Sequence, residues 1–210
     1  ANLSESDLRF LQYEYAVSEL EKNTVGLIID QDHNCGGQVD MVEKMVSLFA
    51  EKPFLGLEFQ FLATRSEYLE FKNWTDEEKA KTVEGKYFSA VLDLIKTAWE
   101  KGENRLTPKT TFQANHPLEP NRIRYTKPVL ILIDEMSGSG GDAFPATMQG
   151  IGRAKLLGQR TMGAGGHVVS GVRLPYSGNS LRMTKSLFYH PNGTAIENHG
   201  ASPDFDYRIT

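Results

Sequence analysis

One cysteine, Cys35, occurs in 210 residues, so no disulfide forms within the chain and cysteine usage does not distinguish an exported from an internal location. No apolar run approaches the ~18 residues that a membrane-crossing helix needs. The opening ANLSESDLRF is too charged for the core of a signal peptide, so an export signal, if the protein has one, lies upstream of Ala1. A surplus of positive charge is also missing: 23 Lys and Arg stand against 27 Asp and Glu, a formal net charge of -4, and nothing favours a nucleic acid as partner. There is no internal repeat, and the length suits a single domain with one sizeable core.

The patterns that are present alternate between strand and helix. SESDLRFLQYEYAVSELEKN places Ser4 and Asp7 at capping-box spacing and Leu8, Leu11 and Tyr15 at helical spacing, predicting a helix. VGLIID, ending at Asp30, reads as a strand buried on both faces; HNCGG follows as a turn, and Val39, Val42, Val46 and Phe49 fall on one helical face. FLGLEFQFLA alternates Leu55, Leu57, Phe59 and Phe61 as a half-exposed strand does. Residues 73–102 predict a helix, opened by Thr75 and Glu78 and broken near Gly85, and residues 102–127, with three prolines, predict a long surface loop. PVLILIDE is a second buried strand and DAFPATMQGIGR a second helix, and hairpins are expected from there to the end. The class is α/β with a mostly parallel sheet, and segments 25–30 and 128–134 are expected to be neighbouring parallel strands. Both glycine turns then lie at the carboxyl ends of buried strands, where such sheets place their sites.

Three chemistries compete for LILIDEMSGSGGDAFPATMQG. GSGGDA fits a dinucleotide-binding loop, but no acid follows about twenty residues on, where KLLGQR stands. A phosphate loop needs a lysine after its last glycine, and Asp142 occupies that region. Ser139 at the mouth of a strand-to-helix turn sits beside backbone N–H groups able to stabilise an oxyanion, with Gly138 and Gly140 giving a carbonyl room to approach. The G-x-S-x-G elbow itself is not matched, because Ser137 replaces its first glycine. A glycine-rich turn whose serines only cap a helix remains open on this stretch alone.

GLIIDQDHNCGG, LIDEMSGSGGDAFP, GRAKLLGQRTMGAGG and GTAIENHGASPD occur in an order and spacing that resemble the carboxyl-terminal processing (tail-specific) serine proteases, with SGSGGDAFP most similar to their tricorn-protease branch. The resemblance spans about residues 25–205, although 54–126 carries no family motif. It implies a ClpP/crotonase-like core, a serine endopeptidase acting on a peptide or protein substrate, and no cofactor or metal. Ser139 takes the nucleophile position, with oxyanion donors from the Gly140 N–H and from Gly36 or Gly37. Homo-oligomerisation is left open, and localisation tilts towards export, periplasmic or extracellular. A non-catalytic binding module, as in the retinoid-binding relatives of the family, is the competing implication.

The general base departs from the commoner pattern. The lysine expected about twenty-five residues after the serine is Ala164, whose methyl accepts no proton. In the tricorn-like branch the base is an upstream histidine and a glutamate completes the set, which maps onto Glu197. By that resemblance the chain is the carboxyl-terminal part of a protease core, with the histidine-bearing and peptide-binding parts outside it. Within the chain, His167 and His199 are the alternatives, while His33, His116 and His190 read as exposed loop residues. Asp30, Asp32 and His33 lack a second ligand cluster, Cys35 reads as a small turn residue, and Trp74 and Trp99 as packing groups.

Overall fold

The computed structural model describes residues 5–74, 83–102, 105–113, 115–168 and 172–208. In chain order its elements are α1 (Glu5–Asn23), β1 (Leu27–Asp30), α2 (Val39–Ser47), β2 (Glu58–Phe61), α3 (Arg65–Trp74), α4 (Val83–Lys101), β3 (Thr110–Thr111), β4 (Val129–Ile133), α5 (Gly140–Gly150), β5 (Lys155–Gly158), β6 (Val172–Arg173), β7 (Ser180–Leu181), β8 (Ser186–Tyr189) and β9 (Phe205–Asp206). They form two compact units. One comprises Ala1–Leu57, Pro117–Gly165 and Tyr189–Thr210, the other Glu58–His116 and Gly166–Phe188.

The first unit is built on a four-stranded parallel sheet of order β1-β4-β5-β9. Leu27 stands opposite Val129 and Asp30 opposite Leu132, so the two segments expected to pair do so in parallel. β4 is central, and Val129, Ile131 and Ile133 are buried, as a β-branched apolar run between two strands should be. β1 differs from its expectation. It is the outermost strand, its residues alternate between half-buried and exposed, and Ile28 is 65% exposed; an edge strand covered on one face uses only every second side chain for packing. α1 forms, but Leu8, Leu11 and Tyr15 stay exposed and Val17 is its buried residue; Ser4, its expected cap, lies outside the described residues. Its carboxyl end is held by the Lys127 ammonium, which donates to the Glu21 and Thr24 carbonyls and matches the negative pole there.

The tail does not end in a hairpin: β9 returns to the parallel sheet beside β5. Asp204 fixes that edge by accepting from the Leu156 N–H at 2.9 Å, Gln149 Nε2 at 2.9 Å and Lys155 Nζ at 2.7 Å. α5 contains Pro145, which has no N–H for the Gly141 carbonyl four residues back. The buried Gln31, just past β1, supplies the missing donor, its Nε2 reaching that carbonyl at 2.9 Å. A break in helical bonding is thereby turned into a tie between β1 and α5.

The second unit has a three-stranded sheet of order β3-β2-β8. Phe59 and Phe61 of β2 are its core, with Phe112 and Phe188 at 4.8 and 5.8 Å from Phe59 and Phe71 at 5.0 Å from Phe61, ring centre to ring centre. Leu57, Phe59 and Phe61 are buried as the alternation predicts, whereas Leu55 is half exposed. Two helices, α3 and α4, flank residues 75–82; α3 was not expected, α4 runs through Gly85 without a break, and Thr75 and Glu78 lie outside the described residues. Nor is 102–127 a plain surface loop: β3 pairs antiparallel with β2, and Thr107, Thr111 and Tyr125 are almost fully buried. Hydroxyls that bond backbone make such burial affordable to a polar segment, as when Thr107 Oγ1 accepts from the Phe61 N–H at 3.0 Å. One expected hairpin is present, β6 with β7. Among the described residues no helix is long and apolar enough to cross a membrane.

Candidate functional site

Ser139 is the residue before α5, with φ 57° and ψ -116°. A non-glycine residue rarely occupies that region, and one held there costs about 1–3 kcal/mol that its surroundings must offset. The surroundings here are explicit. The Ser139 N–H donates both to the Ala164 carbonyl at 3.0 Å and to Asp142 Oδ2 at 2.9 Å. Asp142 is fully buried and also accepts from the Thr161 hydroxyl, the Gly163 N–H at 2.8 Å and the Ala164 N–H at 3.0 Å. A carboxylate at the positive end of a helix with this many donors stays satisfied while buried. Ser137, also fully buried, places its hydroxyl 2.6 Å from Asp134 Oδ1 and 3.1 Å from the Gln31 carbonyl.

The first glycine turn is laid against this one. The Asn34 carbonyl accepts from the Gly138 N–H at 2.9 Å. Gly36 has φ 94°, and a side chain on it would bring its first carbon to 2.6 Å from both the Gly140 nitrogen and Ser139 Cβ; only a residue without Cβ permits this approach. The Gly36 N–H is occupied, donating to Asn34 Oδ1 at 2.9 Å. The Gly37 N–H makes no hydrogen bond among the described residues, and a Cβ on Gly140 would lie 3.0 Å from the Gly37 nitrogen. Gly140 opens α5, so its N–H has no acceptor within the helix. His33 Nδ1 lies 3.1 Å from Asp134 Oδ2 and the His33 N–H donates to Asp134 Oδ1 at 3.0 Å. Burial pushes the Asp134 carboxyl up, but the Ser137 hydroxyl, the His33 N–H and the His33 imidazole together hold it below its ordinary value.

Ala164 is exposed beside the serine turn, where a Cβ on Gly138 would meet its methyl at 3.5 Å. The peptide group joining Ala164 to Gly165 works from both sides: its carbonyl accepts from the Ser139 N–H, and its N–H donates to Glu197 Oε2 at 3.0 Å. Glu197 therefore sits one peptide unit away from the Ser139 backbone. The histidines of this unit are engaged elsewhere. His33 pairs with Asp134, His199 Nδ1 lies 2.9 Å from the Glu197 carbonyl, and His190 Nε2 lies 2.7 Å from the Gly200 carbonyl. His190 is not the exposed loop residue expected of it: it is half-buried, and burial lowers its pKa. In the second unit His167 Nε2 lies 3.5 Å from Glu70 Oε1, in a cluster where Lys185 Nζ bridges Glu67 at 3.1 Å and Glu70. Among the described residues no imidazole or lysine amine hydrogen-bonds the Ser139 hydroxyl.

Sequence reading passed over two residues that organise this arrangement. Asp142 entered only as an argument against a phosphate loop, although Ser139 and Asp142 stand at the S-x-x-D spacing of a helix cap. Gln31 carried no signal of its own. The clue was Pro145, whose missing N–H demands a donor for Gly141 from elsewhere.

A cleft of about 690 Å³ opens next to the paired turns. Gly36, Gly37 and Gly140 border it, and Tyr13 of α1, Met41, Val42 and Met45 of α2 and Phe144 of α5 form its apolar wall.

An α/β core with paired glycine turns at the carboxyl ends of adjacent parallel strands is the class of protein these features define. Residues 12–207 match the model of peptidase family S41, and the chain belongs to that family. It is 32% identical over 216 residues to a protein of Chlamydia pneumoniae, a match covering 92% of this chain and 35% of that one. It is 35% identical over 78 residues to the carboxy-terminal-processing protease of Bartonella bacilliformis, covering 37% of this chain and 18% of the other. The structure of mature CPAF complexed with lactacystin superposes with a TM-score of 0.82 at 26% identity, covering 98% of this chain and 44% of that one. The chain thus spans less than half the length of these relatives.

Proposed function

We propose that this chain carries the nucleophile and oxyanion half of a serine endopeptidase, forming an acyl-enzyme on Ser139. The observation that carries the reading is the contact between the two turns: Ser139, held at positive φ, sits against Gly36, with the N–H groups of Gly140 and Gly37 next to it. A peptide carbonyl placed there meets a hydroxyl and two donors at once, the arrangement that acyl transfer requires. Because the Gly36 N–H is already bonded to Asn34, the second donor is assigned to Gly37. Attack joins Ser139 Oγ to the carbonyl carbon, the hydroxyl proton passes to a base and then to the leaving amine, and water releases the acyl group.

The base is assigned to a histidine outside these 210 residues. Ala164 cannot serve, and the histidines of the unit bearing Ser139 are committed to other partners. Glu197 is the acid that orients that histidine, consistent with its position one peptide group from Ser139. The substrate is a peptide or protein.

A fluorophosphonate probe tests this. The full-length protein should label at Ser139 and the isolated 210-residue chain slowly or not at all. Rapid stoichiometric labelling of the isolated chain would show that its own histidines suffice. Absence of labelling in both would favour a binding module that has lost the chemistry.

A further inference from the structure

We propose that Thr161 is a positioning residue of the acyl-transfer site, its hydroxyl fixing the turn that carries Glu197 against the turn that carries Ser139. The proposal rests on Ser139 and Glu197 having the roles given above. Thr161 is fully buried between two residues that are also fully buried, Asp142 and Ala201. Its hydroxyl donates to Asp142 Oδ1 and accepts from the Ala201 N–H at 2.7 Å. The order of the protons is forced, because a carboxylate accepts, a backbone N–H donates and a hydroxyl does both. Asp142 accepts in turn from the Ser139 N–H at 2.9 Å. A buried chain of hydrogen bonds therefore runs from the backbone of Ser139 through Asp142 and Thr161 to Ala201, close behind Glu197 in the sequence.

The Glu197 turn has no slack against this threonine. Gly200 has φ 61°, and a Cβ there would lie 2.3 Å from the Thr161 carbonyl oxygen and 2.8 Å from its hydroxyl. The Thr161 N–H donates to the Ala201 carbonyl at 3.1 Å and the Asn198 N–H to the Gly163 carbonyl at 2.7 Å, so backbone bonds set the pairing of the two segments. The hydroxyl adds a link onward to the carboxylate at the nucleophile. Removing it affects the two ends unequally. Asp142 keeps its bonds from the Ser139, Gly163 and Ala164 N–H groups. The buried Ala201 N–H loses its acceptor, and the turn must shift to find another. The loss is therefore felt at Glu197 more than at Ser139.

The rate at which a fluorophosphonate labels Ser139 in the full-length protein reads this. Thr161→Val keeps the shape, removes the hydroxyl and should slow labelling about tenfold, whereas Thr161→Ser, which retains donor and acceptor, should stay within about twofold of the parent. In a Glu197→Gln background Thr161→Val should cost less than about twofold more, because changes that act through one group are not additive. A carboxylate beside the base histidine raises that histidine's pKa. Thr161→Val should therefore also move the midpoint of the acid limb of the labelling profile to lower pH by about 0.5 unit, which a loss of stability alone does not do. Where Glu197→Gln labels too slowly to measure, the midpoint decides. Should Thr161→Val fail to fold, Thr161→Ala takes its place in both measurements. Unslowed labelling of Thr161→Val, a Thr161→Ser rate as low as that of Thr161→Val, equal losses in the two backgrounds or an unmoved midpoint overturns the role of Thr161 and leaves Ser139 standing. So does failure of both hydroxyl-free variants to fold, which would make the hydroxyl a requirement of the fold instead. Labelling of Glu197→Gln at the parent rate overturns Glu197 and Thr161 together, and no labelling of the parent overturns the nucleophile as well.

Discussion

The two glycine turns share one grammar, a strand feeding glycines and then a helix, yet they are held in opposite ways. The turn after β4 is packed inside: Ser137 and Asp142 have no solvent exposure, and Asp142 alone gathers four donors. The turn after β1 is open, with Cys35, Gly36 and Gly37 exposed. It has little apolar burial of its own and takes its position from its neighbour, through Asn34 to Gly138 and His33 to Asp134. A buried anion can impose an unfavourable backbone on Ser139 because its hydrogen bonds are not shared with water. The exposed turn borrows its rigidity instead: it uses glycine at Gly36, φ 94°, where no Cβ fits, and holds His33 at φ 60° by tying it to Asp134.

That division of labour is tested most severely at Ser139. In the full-length protein Ser139→Ala should lower peptide hydrolysis by several orders of magnitude with an unchanged melting temperature, because only the nucleophile is removed. Undiminished hydrolysis in a folded variant would sink the assignment.

The open turn should be sensitive at one glycine and indifferent at the next. Gly36→Ala drives a methyl into Gly140 and Ser139 and should cost about 10²-fold in kcat, the scale of losing an oxyanion donor. Gly37→Ala meets nothing within 4 Å, so its N–H keeps its place and activity should stay within about twofold. Equal effects at both positions would mean that the contact between the turns does not set the site. For the buried turn, Asp142→Asn keeps the shape but points an amide N–H₂ at donors. Losing charge-assisted bonds in a fully buried place should destabilise by roughly 2–4 kcal/mol, read as a drop in the urea midpoint.

The comparison also shows what a sequence reveals. The central strand, its turn and α5 were legible because VLILI is an unbroken apolar run that feeds a glycine-rich turn and then a helical pattern. The parallel pairing of β1 with β4 followed from the repeated grammar, and so did the positions of Ser139, Gly36 and Gly140, though not their contact. The exposure of Ile28 was hidden because a short apolar run looks the same in an edge strand as in a central one. α3 was missed although Thr64 and Glu67 stand at capping-box spacing ahead of Tyr68 and Phe71. β3 was hidden within a polar segment whose threonines are buried by pairing with backbone, which periodicity does not record. Long-range ties such as Gln31 to Gly141 and Glu197 to Gly165 join residues 110 and 32 positions apart, a distance over which local pattern is silent.

The smallest effect expected is a pH dependence at the seam between the turns. Burial works against ionised Asp134, yet the Ser137 hydroxyl, the His33 N–H and the imidazole hold its pKa below the ordinary 3.8. With the folded value depressed, the unfolded chain binds more protons in the interval between the two values, so stability rises with pH there. The contribution is complete above the ordinary value and is lost as pH falls through the folded one. Ser137→Ala removes the hydroxyl 2.6 Å from Asp134 Oδ1 and returns the carboxyl towards its ordinary value, narrowing that interval. Urea midpoints measured from pH 7 down to pH 3 should therefore fall less steeply at the acid end in Ser137→Ala than in the parent protein, whatever the offset between them at pH 7. Parallel curves would show that Ser137 does not tune Asp134.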